Sequence, residues 1–264
     1  MIARLLIRLV ALLALAYLVL PLVVIMGASL TQTSYLAFPP EGLTLKWFGV
    51  LFDDPSYVSA FVTSTLLALA STAVAILLAV PASLALARYV FSGWAAVSAL
   101  LMSPLVLPYV VLGAALLQFG SAIGLARSFE ALLVGHVIIV TPFVLRSVLP
   151  LLTPEQRALE EASLDLGATP LATFFLVVLP QIRGGIVSGG LLAFISSWIN
   201  VELSIFNTSS ALNTIPVKMF NYVQYTIDPT IAAVSAITIV AAALVIILLD
   251  LLIGLDMLSE SRRS

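Results

Sequence analysis

The spacing of charge restricts this chain more than any other feature. Asp, Glu, Lys and Arg are missing from six runs, residues 9–40, 55–87, 89–126, 131–145, 184–201 and 229–249. About 20 helical residues, rising about 1.5 Å each, cross a hydrocarbon core roughly 30 Å thick. The runs therefore mark six candidate spans, near 9–29, 59–87, 95–119, 130–149, 180–203 and 229–254. The fourth is short unless Arg146 snorkels to the interface. Composition agrees, with 62% apolar and 9% charged residues, where a soluble domain carries about 25% charged. A β-barrel would alternate over ~10-residue segments, which these continuous runs do not. The expected fold class is all-α and polytopic, one domain over 1–264, with six transmembrane helices.

Other composition signals mainly exclude. The chain has no cysteine, hence no disulfide or thiolate metal site, and its net charge of -2 gives no nucleic-acid footprint. Arg4 and Arg8 precede an apolar stretch from Leu9 to about Ala28. That stretch exceeds the h-region of a signal peptide, and no A-x-A site follows, so it is expected to stay as the first span. With both termini cytoplasmic, one side holds Arg4, Arg8, Arg88, Arg146, Arg157, Arg183, Arg262 and Arg263. The other holds Lys46, Arg127 and Lys218, a distribution that obeys the positive-inside rule. The loops 30–58 and 204–228 then lie outside, and their Pro, Asn, Trp and Tyr residues suit turns and an aromatic belt.

A polar island, 153–170, interrupts this pattern on the cytoplasmic side. Thr153 is a fitting N-cap, Pro154 fits the first helical position, and Gln156 completes a capping box. The helix is expected to run to about Leu166 and end on a left-handed Gly167. Thr169 and Pro170 start a second helix, which runs into Pro180. The proline ring disfavours helical geometry at Leu179 and would let the chain turn into the fifth span. Arg157 and Glu161 are i,i+4 neighbours and Asp165 shares their face, while Ala158, Leu159, Ala162 and Leu166 form another. The small residues Ala162, Ser163 and Ala168 would admit a close partner. The plain alternative is a solvated loop helix. Double capping in a chain with little other cytosolic mass favours a docking element.

The same residues carry a family resemblance. Glu161-Ala162-Ser163, then Gly167, Leu179-Pro180 and Gly185-Ile186, resembles the EAA signature of ABC importer permeases of the MetI-like fold. Ser163 stands where the family has Ala. The likeness extends over Leu45-Lys46-Trp47, His136 to Phe143 and Ile215 to Pro229, and is greatest to the second permease of spermidine/putrescine-type importers. It implies that 154–170 is a coupling helix seated on a cytosolic ATPase, with Glu160, Glu161, Ala162, Ser163, Asp165, Gly167 and Ala168 at the contact. It further implies two ABC ATPase subunits, a second homologous permease and an extracytoplasmic solute-binding protein. Related permeases also serve ferric iron, phosphonates and thiamine. The chain has no GxxxxGK[ST] loop, so no cofactor is expected on it; ATP and Mg belong to the partner ATPase. The implied location is a bacterial cytoplasmic membrane, among lipid.

Pro180, Gly184, Gly185 and Gly189 lie where the island joins the fifth span, as hinge or as packing. Gly185, Gly189, Ala193 and Ser197 form a small-residue stripe that lets helices meet tightly. For the translocation pathway, Trp198, Asn200 and Glu202 form the densest polar cluster near a span end. Glu202 would attract a cation and Trp198 would lie against an ammonium. The alternative is an ordinary interfacial belt with an exposed carboxylate. Polyamine-type permeases carry paired acidic residues at about this place, where this chain has Asn200 and Glu202. His136 and Asp250 are read as packing or snorkelling groups, and Thr63, Ser64, Thr65, Ser71 and Thr72 as helix back-bonders. One His, no Cys, no HExxH and no GxSxG argue against an enzyme. A secondary transporter would show inverted repeats or broken helices, neither evident in the sequence, and needs no docking helix.

Overall fold

The computed structural model describes residues 2–253. Arg262 and Arg263 lie outside the described residues, and so does the side chain of Asp250. The helices are α1 (Ile2–Ala28), α2 (Lys46–Asp53), α3 (Pro55–Arg88), α4 (Trp94–Met102), α5 (Tyr109–Ala122) and α6 (Phe129–Val148). They continue with α7 (Pro154–Asp165), α8 (Pro170–Thr173), α9 (Leu179–Trp198), α10 (Ser204–Asn207), α11 (Ile215–Val223) and α12 (Pro229–Ile253). Four helical stretches are long and apolar enough to cross a bilayer: Arg4–Ala28, Pro55–Arg88, Phe129–Leu151 and Pro170–Trp198. The chain is thus a polytopic helical membrane protein. The loops expected at 30–58 and 204–228 contain α2, α10 and α11 as well as turns.

The third expected span, 95–119, is not a continuous helix. Trp94–Leu105 and Tyr109–Ala122 meet at 102°. Two prolines explain the break: Pro104 sits in a tight turn at Ser103–Leu105, and Pro108 is extended at φ -61°, ψ 124°. Pro108 lacks an N–H and pushes Leu107 out of helical geometry. A broken helix pair, not evident in the sequence, is therefore present.

The fifth span, expected to start at 180 after a turn, also departs from expectation. Helix runs without interruption from Pro170 to Trp198, and Leu179 is helical at φ -57°, ψ -44°. A wide π-helical turn at Phe174–Val178 makes this possible, with the Leu179 N–H donating to the Phe174 carbonyl five residues back. The extra residue opens the turn where the Pro180 ring would otherwise meet a carbonyl. The helix ends at Trp198, short of the expected 203.

Two compact units divide the chain. In the first, residues up to Val58 with those from Asn221 on, both α1 and α2 pack on α12. The Trp47 indole N–H donates to the Thr31 carbonyl at 2.9 Å and holds the loop after α1. Asp228 caps α12 through the Thr230 N–H at 2.9 Å, ahead of Pro229. The apolar side chains of α1, such as Leu5 and Tyr17, are exposed, a surface suited to lipid rather than to water.

In the second unit, Ser59–Phe220, the core is the contact of α6 with α9. Ile139, Val140, Val144, Leu145 and Val148 of α6 are fully buried, with Ile182 and Ala193 of α9 beside them. Glycine makes the contact possible. A Cβ on Gly185 would lie 2.6 Å from the Ser147 carbonyl oxygen, and one on Gly189 would lie 2.8 Å from the Val144 Cα. Both clashes are with backbone, which cannot rotate away. Gly184 is only half-buried and Pro180 is exposed.

Gly189→Val is therefore expected to destabilise the fold by about 1–3 kcal/mol or more through overpacking. Gly49→Ala, where an added Cβ meets nothing within 4 Å, should be neutral or stabilising. Thermal unfolding in detergent distinguishes the two.

Candidate functional site

The island is held by its own ends before it touches anything else. Thr153 accepts the Gln156 N–H at 3.3 Å and Thr169 accepts the Ala172 N–H at 3.2 Å. Gly167, at φ +89°, closes α7: its N–H reaches the Leu164 carbonyl, and the Ala168 N–H reaches that of Ser163. This double closure satisfies the orphan carbonyls at the helix end. Hydrogen bonds from the Thr153 hydroxyl and from its own backbone N–H hold the exposed Glu155 carboxyl below the usual carboxylate range. The capping box is only half formed. The Gln156 side chain does not return to Thr153; its carbonyl accepts from the Arg88 guanidinium, and it is buried.

Which face points inward reverses the usual amphipathic pattern. Toward the rest of its own unit, α7 presents Gln156, Glu160 and Ser163. Glu160 accepts from Arg88 Nε at 2.9 Å, and the Ser163 hydroxyl lies 3.1 Å from that of Thr173. Outward it presents Leu159, Leu164, Glu161, Ala162 and Asp165, with Leu166 90% exposed beyond its end. Arg157 pairs with Glu161 at 2.9 Å on that outer face. A helix that buries its polar side chains and exposes leucines beside carboxylates has a surface fit for a partner.

The polar cluster at the other end of α9 is mostly occupied by internal bonds. The Trp198 N–H donates to Thr65 at 3.3 Å, and its ring lies 5.6 Å from that of Phe61. Asn200 is buried, and its side-chain carbonyl accepts the Leu203 N–H at 3.0 Å, shaping the turn into α10. Glu202 is exposed.

Between these ends a chain of hydroxyls crosses the unit through His136. Its Nδ1 is 2.7 Å from the Ser197 hydroxyl and its Nε2 is 2.9 Å from that of Ser204. Ser197 is 3.0 Å from Ser71, whose hydroxyl donates to the Ala68 carbonyl. Counting hydrogens along the chain sets its direction. With Ser71 donating to Ala68, Ser197 donates to Ser71, His136 Nδ1–H to Ser197, and Ser204 to Nε2. His136 is thus a satisfied core residue joining α3, α6, α9 and α10.

No family model matches the chain, but curated proteins do. The putrescine transport system permease protein PotI of Escherichia coli is 33% identical over 211 residues, 77% of this chain and 75% of that protein. The chain belongs to the family of ABC-transporter permeases. The spermidine/putrescine transport system permease protein PotC of Haemophilus influenzae is 27% identical over 237 residues, 90% of this permease and 92% of the relative. The sulfoquinovosyl glycerol transport system permease protein SmoH of Agrobacterium fabrum is 30% identical over 224 residues, 84% and 78% of the two chains. The permease is accordingly a transport subunit and not an enzyme.

Two residues that fasten the island carry no direct sequence signal of that contact. In the sequence Arg88 reads only as a charge on one side of the membrane, and Gln156 only as a cap. The available signal was that Arg88 is a lone cation ending a 33-residue charge-free run (55–87).

His136→Leu should lower stability by about 2–4 kcal/mol, because it leaves the buried Ser204 hydroxyl without its acceptor and Ser197 without its donor. Adding Ser204→Ala should recover about 1 kcal/mol of that loss. Strictly additive losses in thermal unfolding would mean that His136 and Ser204 do not interact.

Proposed function

We propose that this chain is the second permease subunit of an ATP-driven polyamine importer. In this reading six spans cross a bacterial cytoplasmic membrane with both termini inside; the bent pair α4–α5 is the third and α12 the sixth. The chain contributes half of the pathway and pairs with a homologous permease. Two ABC ATPases sit below, and an extracytoplasmic solute-binding protein delivers the solute. The observation that carries the reading is the island's exposed surface on a chain whose relatives are named for putrescine and spermidine transport. Region 153–170 is the coupling helix. Glu161, Ala162, Asp165, Gly167 and Ala168 meet the ATPase, and Glu160 and Ser163 hold α7 from behind.

Mechanism follows from connectivity. Nucleotide chemistry resides on the ATPase, which binds ATP and Mg. ATPase closure displaces α7 as a rigid body, and α6 and α9, to which it is joined, rock with it. Glu202, exposed beyond the far end of α9, attracts the cationic solute, and Trp198 offers an aromatic face. Gly185 and Gly189 keep α6 and α9 locked while they move.

Affinity purification of the chain from native membranes in mild detergent tests the reading. An ATPase and a second permease should come with it, and the captured binding protein should bind putrescine or spermidine. Purification alone, under conditions that keep a known ABC importer intact, would refute it. Glu161→Lys should leave the fold intact, because the residue is exposed, yet cut uptake at least tenfold, as measured with labelled putrescine in proteoliposomes. Gly167→Val should lower ATPase recovery in the same pull-down, because a β-branched residue is strained at φ +89°.

A further inference from the structure

The island has a third attachment besides its covalent joins to α6 and α9. Arg88 closes the last turn of α3, where a cation also suits the helix dipole. Its Nη2 lies 2.6 Å and its Nε 2.9 Å from one Glu160 carboxylate oxygen, and it donates as well to the Gln156 carbonyl. The side chains of Arg88 and Glu160 are only 11% and 25% exposed, against 52% and 61% for the Arg157–Glu161 pair. Gln156 is 3% exposed, and its buried Nε2 has no hydrogen-bond partner. Stability alone does not account for such a cluster. Taking charges out of water is costly, and apolar side chains of similar size would hold two helix ends together at least as well. An orphaned buried amide adds to that cost.

Charge and forked geometry do supply direction. Gln156 and Glu160 lie one helical turn apart on α7, so a planar guanidinium bonded to both fixes the position of α7 and its rotation about its own axis. A leucine contact would permit sliding. Farther along α3 lie Thr65, which bonds Trp198, and Ser71, which bonds Ser197. We infer that Arg88 is a positioning residue that ties the island to α3, so that displacement of α7 drives α3 together with α6 and α9. This inference rests on the functional reading above.

The test uses the assembled complex in proteoliposomes, with putrescine as the probe and ATP supplied on the island's side. In Arg88→Gln, ATP hydrolysis should stay within twofold of wild type while uptake per ATP falls at least tenfold. Amide exchange over Pro154–Asp165 should rise at least tenfold. Arg88→Glu combined with Glu160→Arg should restore both. The chain has no cysteine of its own, which permits a toggle on one folded protein. Arg88→Cys with Glu160→Cys, in a complex with cysteine-free partners, should be coupled when bridged by a short bis-methanethiosulfonate reagent and uncoupled after reduction. A wild-type ratio of uptake to hydrolysis in Arg88→Gln would overturn the inference. So would a bridged pair as uncoupled as the reduced one, or joint loss of uptake and hydrolysis that the charge swap does not restore. A wild-type complex that hydrolyses ATP without moving putrescine would defeat the polyamine reading alone. The exchange measurement would then decide the tie, and unchanged exchange would overturn it.

Discussion

Backbone-to-backbone contact between α6 and α9 is the constraint on which the rest of this molecule depends. The island is the chain between those helices, so whatever bears on the island bears on them. Helices at membrane depth gain little from apolar side chains alone, because lipid is equally apolar. What holds them is close approach, and here the carbonyl of Ser147 and the Cα of Val144 occupy the space that a Cβ on Gly185 or Gly189 would need. The stripe ends at Ser197, where packing gives way to the hydroxyl chain through His136. Dispersion and hydrogen bonding thus hold successive parts of one interface.

A second constraint explains where the chain may leave helical geometry. Unsatisfied backbone groups are costly away from water, so irregular backbone at that depth must be enclosed by protein. The bend between α4 and α5 meets this rule only on the side of Pro104, since Val106, Leu107 and Pro108 are exposed. Pro104 within it is buried, and α5 is fastened to α10 by the Asn207 amide, which donates to the Gly113 carbonyl at 3.0 Å. Gly113 lacks a Cβ where Leu203 backbone atoms would lie within 2.9 Å of one. A small polar residue and a glycine thus hold α5 close to α10.

Much of this architecture was legible in the residues. Charge spacing located α3, α6 and α12 to within a few residues, and the end but not the start of α1. A missing charge at membrane depth is a strong filter, while Arg4 and Arg8 still join the helix. The starts Thr153-Pro154 and Thr169-Pro170 and the Gly167 stop were legible because caps are local chemistry. Long-range contacts were not. A cap reading assigned Gln156 to its own helix, since nothing local reveals that Arg88, 68 positions earlier, takes its carbonyl. The proline rule misplaced the turn at Leu179, because a π-helical turn absorbs the strain that the rule assumes will break the helix. Pro104 and Pro108 were visible, but the 102° angle between the two helices is set by packing that no local pattern reveals.

The wide turn at Phe174–Val178 has a consequence for phase. Each residue advances an α-helix by about 100°, and a π-turn inserts one residue into that count. The orientation of the Thr173 side that grips Ser163, relative to the α9 glycine stripe, is therefore set by that single extra residue. Deleting one residue there would leave composition and hydropathy almost unchanged. It would turn the island about a third of the way round α9, aiming Leu159 and Glu161 away from any partner below. The helix works as an indexed shaft, and its index mark is one residue wide.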